Sequence, residues 1–492
     1  MPDLYETLRP LLRFALDLYF LEIEVVGGDA IPDDGPLILV ANHPNSLMDT
    51  LLLGTITRRR IHYVARSGLF EHRLGRLLFQ RLGAIPIYRR EDNPIEQGQE
   101  ALAKNEATFA AVHEVLLAGG CVGIFPEGRN SPRGQVAPFR TGVARMAFGA
   151  EEQRGFALGL RLVPVGIHFE RRDRFFTGVL LRVGRPITLA DYHSQWQEDP
   201  DAAARAVTVA LQAAVRQEAL HIHDARRASL VDALHDILGE KLIDRLLTKI
   251  DLPRKTLRQR LIDELKNTPY PRRNLDDHFQ VKQYIGDVVD GLAEGQPRRL
   301  EELRRRVRLY QDHISQAKLR HEALLEADLT KTSRFRDATR LTFYAMAFLP
   351  LALWGLVNHL IPWLAVRAAT RAVKDEAVRA ITFFSTSFVA YPLFYGFLGW
   401  WLWRVVGTSP GWVALYLLTL PPAGFFWLRY TRQLLRYRQR ILARTLFRTR
   451  RGLVTNLVRE RKALLRHFSA LADTVGVAPP GEAASLRVVS PQ

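Results

Sequence analysis

The sequence predicts an α/β fold near its amino terminus, in which helices flank an open, mostly parallel sheet. It also predicts a helical region after this sheet and a C-terminal transmembrane helical region. Three observations support this: residues 21–190 alternate short β-rich runs with helical spacing, residues 198–335 are charged and poor in turn signals, and three apolar segments follow. The chain has 492 residues, which is too long for one ordinary core, so we expect several structural units.

Short runs of β-branched and apolar residues are the predicted strands, and the stretches between them have the apolar spacing of helices. In open sheets of this kind, sites lie where strands hand over to helices. The predicted strands are 37–41, 61–65, 84–88, 121–125, 161–169 and 178–184, and the predicted helices between them are 46–57, 68–81, 97–118 and 141–151.

Amphipathic helices are predicted on both sides of the sheet domain. Residues 4–20 lack the features of a secretory signal, and their helix either rests on a bilayer or packs on its own domain. Residues 228–249 and 299–327 indicate a helical hairpin or bundle that packs on neighbouring domains. A partner-binding coiled coil is the alternative for this region.

Three apolar segments predict membrane embedding. Residues 341–366 and 380–403 are each long enough to cross a bilayer, which needs about 20 residues, whereas 412–428 is shorter. Because basic residues flank the whole region, the favoured arrangement is a hairpin of the last two segments. The first segment would then dip into the membrane and return near its two prolines.

The charge of the chain favours anionic partners. The net charge is +18, and residues 429–466 contain 13 Arg or Lys against one acid, Glu460. A basic helix directly after an apolar span is typical of a segment lying against anionic headgroups, so the predicted partner is an anionic phospholipid membrane and not nucleic acid. The predicted segments are an amphipathic helix (1–20), a sheet domain (21–197), a charged helical region (198–337), the membrane region (338–428) and a basic helical tail (429–492).

A histidine and an acid follow the first predicted strand in the motif NHPNSLMD. His43 lies at the carboxyl end of that strand, and Asp49 follows about one and a half helical turns later. A carboxylate on one ring nitrogen fixes the tautomer and leaves the other nitrogen free to act as a base. The pair therefore predicts deprotonation of a hydroxyl, provided that the turn between the two residues is tight. A histidine that only caps or packs a helix is the alternative.

Basic residues follow two later strands. Arg89 and Arg90 end GAIPIYRR, and Arg140 lies in FPEGRNSPRGQVAPFRTG. Guanidinium groups suit phosphate oxygens, so these arginines are candidates for binding a substrate phosphate. Gly128 lets backbone amides approach a ligand, and Glu127 either binds a substrate hydroxyl or holds Arg140.

These blocks, together with VPVGIHF at 163–169, resemble the four ordered motifs of the glycerophosphate acyltransferase superfamily over roughly residues 35–190. The resemblance implies transfer of a fatty acyl group from acyl-CoA or acyl carrier protein to a glycerophosphate hydroxyl, without an acyl-enzyme, a cofactor or a metal. It assigns His43 as the general base and Asp49 as its support. The residues that match the substrate-phosphate blocks are Arg89, Arg90, Glu127, Gly128 and Arg140, and the secondary candidates are Asn45, Arg129 and Ser131.

Two features of the chain depart from the superfamily pattern. Five residues separate His43 from Asp49 where four are usual, and Arg129-Asn130-Ser131 stands where Thr-Arg-Ser is usual. We expect the turn at Pro44 to absorb the additional residue ahead of the helix. If the turn does not absorb it, Asp49 points away from His43.

Several functional alternatives remain open on sequence alone. The acceptor is glycerol-3-phosphate, dihydroxyacetone phosphate or lysophosphatidic acid, and a homo-oligomer is one of the open oligomeric states. A non-catalytic membrane scaffold with a decayed domain is a different class of function. A transporter is disfavoured by the scarcity of intramembrane charge. A serine hydrolase is disfavoured because the predicted sheet domain has no G-x-S-x-G motif; the sequence GTSPG at 407–411 lies between two apolar segments. Because Cys121 is the one cysteine, no intrachain disulfide forms. This favours a reducing compartment, and we expect an integral membrane protein with its catalytic domain on the cytoplasmic face, in a bacterial inner membrane.

Overall fold

The structure, a computed structural model, describes residues 4–88, 99–131, 134–247, 275–317, 334–449 and 451–480. The chain divides into two compact units. The first contains Met1–Ala225 together with Val373–Ile381, and the second contains Arg226–Ala372 and Thr382–Gln492.

The first unit is built on an eight-stranded, mostly parallel sheet in the order β1-β7-β6-β2-β5-β3-β4, with β8 paired to β6. Among the described strands, the β6–β7 and β6–β8 pairs are antiparallel and the others are parallel. The strands are β1 (Glu22–Val26), β2 (Leu37–Ala41), β3 (Ile61–Arg66), β4 (Ile85–Ile87), β5 (Cys121–Ile124), β6 (Arg161–Phe169), β7 (Gly178–Val183) and β8 (Ile187–Thr188). The helices are α1 (Leu4–Tyr19), α2 (Leu47–Leu53), α3 (Arg73–Arg81), α4 (Gln99–Leu117), α5 (Gly142–Glu152), α6 (His193–Glu198) and α7 (Pro200–Glu218).

The predicted fold class is confirmed, and all six predicted strands are present. The sequence analysis missed two strands, β1 and β8. β1 lies at one edge of the sheet and pairs in parallel with β7, which is more than 150 residues away along the chain, at Glu22↔Gly178. Its short alternating sequence, EIEVV, gives little local signal for a partner so distant in the chain.

The centre of the sheet is buried between helices. All five residues of β2 are inaccessible to solvent, and the apolar residues of β5 beside it are buried. On one face, Phe148 of α5 and Leu211 of α7 pack into the same apolar cluster as Val40 and Ile124. A strand buried on both faces needs a continuous apolar run, which explains the composition of LILVA.

Helix α1 has one buried and one exposed apolar side. Leu16 and Tyr19 are buried against the domain, while Leu11 and Phe14 are exposed. Arg9 donates hydrogen bonds to the carbonyl groups of Thr57 and Arg58. The helix therefore packs on its own domain and still presents apolar side chains outward.

Gly166 in the middle of β6 allows the end of α7 to pass directly over the sheet. A Cβ atom at this position would lie 1.9 Å from the carbonyl oxygen of Glu218 and 2.7 Å from the amide nitrogen of Ala219. Both atoms belong to the backbone, so a side chain at this position cannot be accommodated by a rotamer change.

We expect Gly166→Ala to lower the free energy of unfolding of the first unit by about 1–3 kcal/mol or more, because the new methyl group overpacks a backbone contact. Gly142→Ala is a matched control, since a Cβ atom there has no neighbour within 4 Å. Thermal unfolding of the detergent-solubilised protein measures the difference. Equal midpoints for the two variants would contradict the close approach.

The second unit contains a helical bundle and three long apolar helices. The bundle consists of α8 (Ala228–Leu246), α9 (Leu275–Gly295), α10 (Pro297–Gln316) and α14 (Arg451–Val475). Helix α14 buries Leu457, Leu464 and Phe468. The apolar face of the predicted basic tail is thus used for protein packing over residues 451–475.

The three apolar helices are α11 (Arg334–Ala372), α12 (Glu376–Arg404) and α13 (Pro410–Thr449), and all three are long and apolar enough to cross a membrane. The prediction that residues 341–366 dip into the membrane and return is wrong. Helix α11 continues through Pro350 and Pro362 for 39 residues, which corresponds to about 58 Å. Prolines are tolerated in apolar helices where neighbouring groups satisfy the freed backbone.

Helices α11 and α13 pack against each other in antiparallel orientation. Tyr344 stacks on Tyr430, whereas Trp354, further along α11, contacts Tyr416, which is earlier in α13. Gly355 allows this approach, since a Cβ atom there would lie 2.3 Å from the carbonyl oxygen of Ala423. Helices α11 and α13 are therefore a closely packed pair in the membrane region. The predicted hairpin of the last two segments stays a prediction.

Hydrogen bonds between polar side chains join the three apolar helices. His359 of α11 bonds the hydroxyl group of Tyr395 in α12 at 2.8 Å, and its other ring nitrogen bonds the carbonyl of Gly355. The hydroxyl group of Tyr416 in α13 donates to Asn358 of α11. In an apolar environment such pairs hold helices together, because separation would leave the polar groups unsatisfied.

Candidate active site

Three neighbouring strands bring the motifs of the sequence analysis to one edge of the sheet. β6, β2 and β5 are adjacent and parallel, so their carboxyl ends lie at the same edge. His43 follows β2 by two residues, Glu127 follows β5 by three, and Arg172 follows β6 by three. The residues that follow the three strand ends therefore lie at the same edge of the sheet, as predicted.

His43 and Asp49 form a hydrogen-bonded pair. The distance from Nδ1 of His43 to Oδ2 of Asp49 is 3.0 Å, and the Asp49 side chain is fully buried while 20% of His43 is exposed. An ionised carboxylate can only accept, so the ring donates its Nδ1 hydrogen. This tautomer leaves Nε2 as the basic nitrogen, which is the arrangement that a general base requires.

The turn between His43 and Asp49 has an unusual backbone conformation at Ser46. Ser46 has φ 52° and ψ −138°, a conformation that non-glycine residues rarely adopt, and it directly precedes α2. The backbone amide of Asn45 then donates to Oδ2 of Asp49 at 2.6 Å. The tight turn thus brings the aspartate back to the histidine despite the longer spacing.

The imidazole ring of His43 is also held by stacking. It lies on the ring of Phe125, with centroids 4.2 Å apart and planes 18° from parallel. Behind it, the Asn42 side chain exchanges two hydrogen bonds with the backbone of Ile167, at 3.1 and 2.7 Å. The ring is therefore fixed both by its own contacts and by the junction of β2 with β6.

Glu127 joins the loop after β5 to the loop after β2. Its Oε1 accepts hydrogen bonds from the amide of His43 at 3.0 Å and from the hydroxyl of Ser131 at 2.7 Å, and Oε2 accepts from the amide of Ala137 at 3.0 Å. The Ser131 amide donates in turn to the carbonyl of His43 at 2.7 Å. The buried carboxylate and Ser131 thus hold both the backbone amide and the backbone carbonyl of His43.

Burial controls the ionisation of both carboxyl groups. Desolvation raises the pKa of Asp49, although the hydrogen bond with His43 and nearby positive charge oppose the rise. Desolvation also raises the pKa of Glu127, opposed by the hydrogen bonds from Ser131, His43 and Ala137. The protein thus bears the cost of two buried acids at this one sheet edge, which is typical of a functional site.

The predicted phosphate-binding residues lie in different environments. Arg140 is exposed, and its side chain lies over Gly128, where a Cβ atom would be 3.1 Å from Nε of Arg140. Gly128 has φ +68°, a conformation suited to glycine. Arg129 is exposed, and Arg89 and Arg90 lie outside the described residues.

Sequence reasoning missed Arg172. This residue lies three positions beyond the fourth block, and its carbonyl oxygen accepts a hydrogen bond from the buried side chain of Asn45 at 2.8 Å. Its Nη1 is 3.2 Å from the carbonyl of Ser131 and 3.4 Å from that of Pro44. In the sequence it is one of several arginines in ERRDRF, and nothing in the spacing distinguishes it.

The comparison with protein families identifies this part of the chain. Residues 22–168 match the family model described as Acyltransferase. The first unit contains an acyltransferase domain. The predicted resemblance to the glycerophosphate acyltransferase superfamily is thereby confirmed, and two yeast relatives support it.

The acyltransferase domain resembles several named proteins. An uncharacterized acyltransferase of Schizosaccharomyces pombe is 23% identical over 265 residues, covering 38% of this chain and 39% of the relative. Glycerol-3-phosphate O-acyltransferase 2 of Saccharomyces cerevisiae is 36% identical over 95 residues, covering 19% of this chain and 13% of the relative. The aligned regions thus span well under half the length of these curated relatives.

One solved structure is also similar to the acyltransferase domain. It is the 1-acyl-sn-glycerophosphate acyltransferase of Thermotoga maritima, with 23% identity and a TM-score of 0.30, covering 43% of this chain and 83% of the other.

We expect the backbone at Ser46 to decide whether the histidine–aspartate pair forms. Ser46→Gly fits the observed φ and should retain acyl transfer, whereas Ser46→Val, with a β-branched side chain at positive φ, should lose it. Initial rates and thermal midpoints measured on both variants test this. A fully active Ser46→Val variant would show that the strained turn is not required.

Proposed function

We propose that this protein is a membrane-bound O-acyltransferase that moves a fatty acyl group from a thioester, acyl-CoA or acyl carrier protein, to a hydroxyl group of glycerol-3-phosphate. The observation that carries the proposal is the His43–Asp49 pair, with 3.0 Å between Nδ1 and Oδ2, in an acyltransferase domain. The names of two similar yeast proteins, both glycerol-3-phosphate O-acyltransferases, support this acceptor.

In the proposed reaction, Nε2 of His43 removes the proton of the acceptor hydroxyl as its oxygen attacks the thioester carbonyl. A carbon–oxygen bond forms, the carbon–sulfur bond breaks, and the leaving thiolate takes the proton from His43. Asp49 keeps the ring in the correct tautomer and stabilises the imidazolium that forms between these steps. The step needs no acyl-enzyme, metal or cofactor.

The remaining candidates have two proposed roles. Glu127 and Ser131 position the backbone of His43, since their polar groups bond each other and that backbone. Arg140, Arg129, Arg89 and Arg90 are proposed to bind the phosphate of the acceptor, with Gly128 giving the substrate access to the backbone. Asn45 is proposed to support the turn that carries Asp49.

We expect His43→Ala to reduce acyl transfer by about 10²–10⁴-fold, because it removes the general base, with membrane association unchanged. Asp49→Asn should lower the rate in the same range while retaining the fold. The measurement is the initial rate with labelled acyl-CoA and glycerol-3-phosphate in detergent. Near wild-type activity of His43→Ala would sink the general-base assignment.

A panel of acceptors decides the substrate. Purified protein is incubated with labelled acyl-CoA and glycerol-3-phosphate, dihydroxyacetone phosphate or lysophosphatidic acid. Product with glycerol-3-phosphate supports the proposal, whereas product with only one of the other two acceptors reassigns the acceptor. If no acceptor gives product, even with acyl carrier protein as the donor, the result favours the non-catalytic scaffold.

We further propose that the protein lies in a bacterial inner membrane and that its acyltransferase domain faces the cytoplasm, because acyl thioesters are made in the cytoplasm. Three apolar helices indicate membrane association, and the arginines that continue helix α13 past its apolar part are proposed to meet anionic headgroups.

Replacing Arg440, Arg444 and Arg448 by Gln should reduce the anionic phospholipid that co-purifies with the protein, because each charge near the surface contributes about 1 kcal/mol. Arg306→Gln is a control, since this residue pairs with Glu302 within α10. Equal lipid content in all variants would refute the lipid contact.

A further inference from the structure

An ion pair behind the active site connects it to a distant part of the chain. Oε2 of Glu376 is 2.8 Å from Nη2 and 3.3 Å from Nε of Arg172. Glu376 is the first residue of helix α12, and it belongs to the short stretch Val373–Ile381 that joins the first unit. The two residues are 204 positions apart.

The guanidinium group of Arg172 contacts Glu376 with one edge and two backbone carbonyl groups with its remaining nitrogen. Glu376 contacts the edge formed by Nε and Nη2, which leaves Nη1 directed at the carbonyl oxygens of Ser131 and Pro44, at 3.2 and 3.4 Å. A planar guanidinium held on one edge presents its other donors in a fixed direction. Glu376 therefore determines where Arg172 places its donor.

The two carbonyl groups belong to residues that are bonded to the proposed base, either covalently or by hydrogen bonds. Pro44 directly follows His43, and Ser131 exchanges hydrogen bonds with the His43 backbone in both directions, at 2.7 and 3.1 Å. A displacement of Ser131 or Pro44 is thus transmitted to the imidazole ring. Misplacement of a reacting group by about 1 Å can cost about 10²-fold in rate.

We propose that Arg172 and Glu376 are positioning residues for acyl transfer, through which the start of an apolar helix holds the loop that carries His43 and the loop that carries Ser131. This inference rests on the proposed function. One support of the proposed active site, the carboxylate of Glu376, then lies outside the sheet domain in the chain.

The charge of Arg172 gives independent support for a role at the site. Burial raises the pKa of Asp49, and the positive charge of Arg172 is among the groups that oppose this rise. Arg172 therefore also favours the ionised form of Asp49, which holds the proton on Nδ1 of His43. A purely structural ion pair with one partner 33% exposed would contribute little to stability, about 0–1 kcal/mol.

The test compares Glu376→Gln with Asp375→Asn, which removes the same charge from the neighbouring exposed residue. We expect Glu376→Gln to lower kcat by about 10–100-fold with little change in KM for either substrate, because alignment is lost and not binding. Asp375→Asn should retain wild-type kcat. Glu376→Asp, which keeps the carboxylate, should recover part of the loss.

A double-mutant cycle tests the coupling between the two residues. If Glu376 acts through Arg172, the variant with both Arg172→Gln and Glu376→Gln should lose no more activity than Arg172→Gln alone. Losses that multiply would show independent roles and overturn the proposal. Equal kcat for Glu376→Gln and Asp375→Asn, with an active wild type, would also overturn it.

A second measurement does not depend on acyl transfer. The amides of Asn45 and Ser131 are hydrogen-bonded to Asp49 and His43, respectively. We expect peptides containing them to exchange amide hydrogen faster in Glu376→Gln than in Asp375→Asn. If the wild type transfers no acyl group, the proposed function fails, while unaltered exchange would still refute the support by Glu376.

Discussion

The buried carboxylate of Glu127 is the interaction on which the proposed active site depends. It lies at the junction of two adjacent parallel strands, where it adds to the hydrogen bonds between Ser131 and His43 that also join the loops after β2 and β5. Its two oxygens accept hydrogen bonds from the backbone of His43 and Ala137 and from Ser131. Burial disfavours its charge and raises its pKa, and the three donors offset part of that cost. The protein thus accepts an unfavourable buried charge in exchange for a fixed position of His43.

The His43–Asp49 pair is accompanied by a second unfavourable feature, the backbone conformation of Ser46. Five residues lie between the pair, and Oδ2 of Asp49 nevertheless lies 3.0 Å from Nδ1 of His43. Ser46 within this turn has φ 52°, and the hydrogen bond from the Asn45 amide to Asp49 stabilises the turn. Strained backbone at such a position persists because surrounding contacts hold it there, among them the bond from Asn45 to the backbone of Arg172.

The membrane region is organised by close packing and a few polar contacts. Small residues such as Gly355 allow α11 and α13 to approach, and His359 and Asn358 bond tyrosines on the neighbouring helices. The ion pair of Arg172 with Glu376 places the first residue of α12 beside the loops of the proposed active site. Through this contact, the conformation at the start of an apolar helix and the alignment of His43 become physically coupled.

The sequence by itself determined the fold class, the positions of six strands, the pairing of His43 with Asp49 as a hypothesis, and the presence of long apolar segments. These depend on local spacing and composition, which are readable over ten or twenty residues. Only the tertiary structure showed that β1 joins the sheet beside β7, that Ser46 carries the strain, that Glu127 braces His43, and that α11 continues through its prolines. It alone brought Arg172 and Glu376 together. Contacts of this kind join residues far apart in the chain, and their energies depend on how the elements pack, so no local pattern records them.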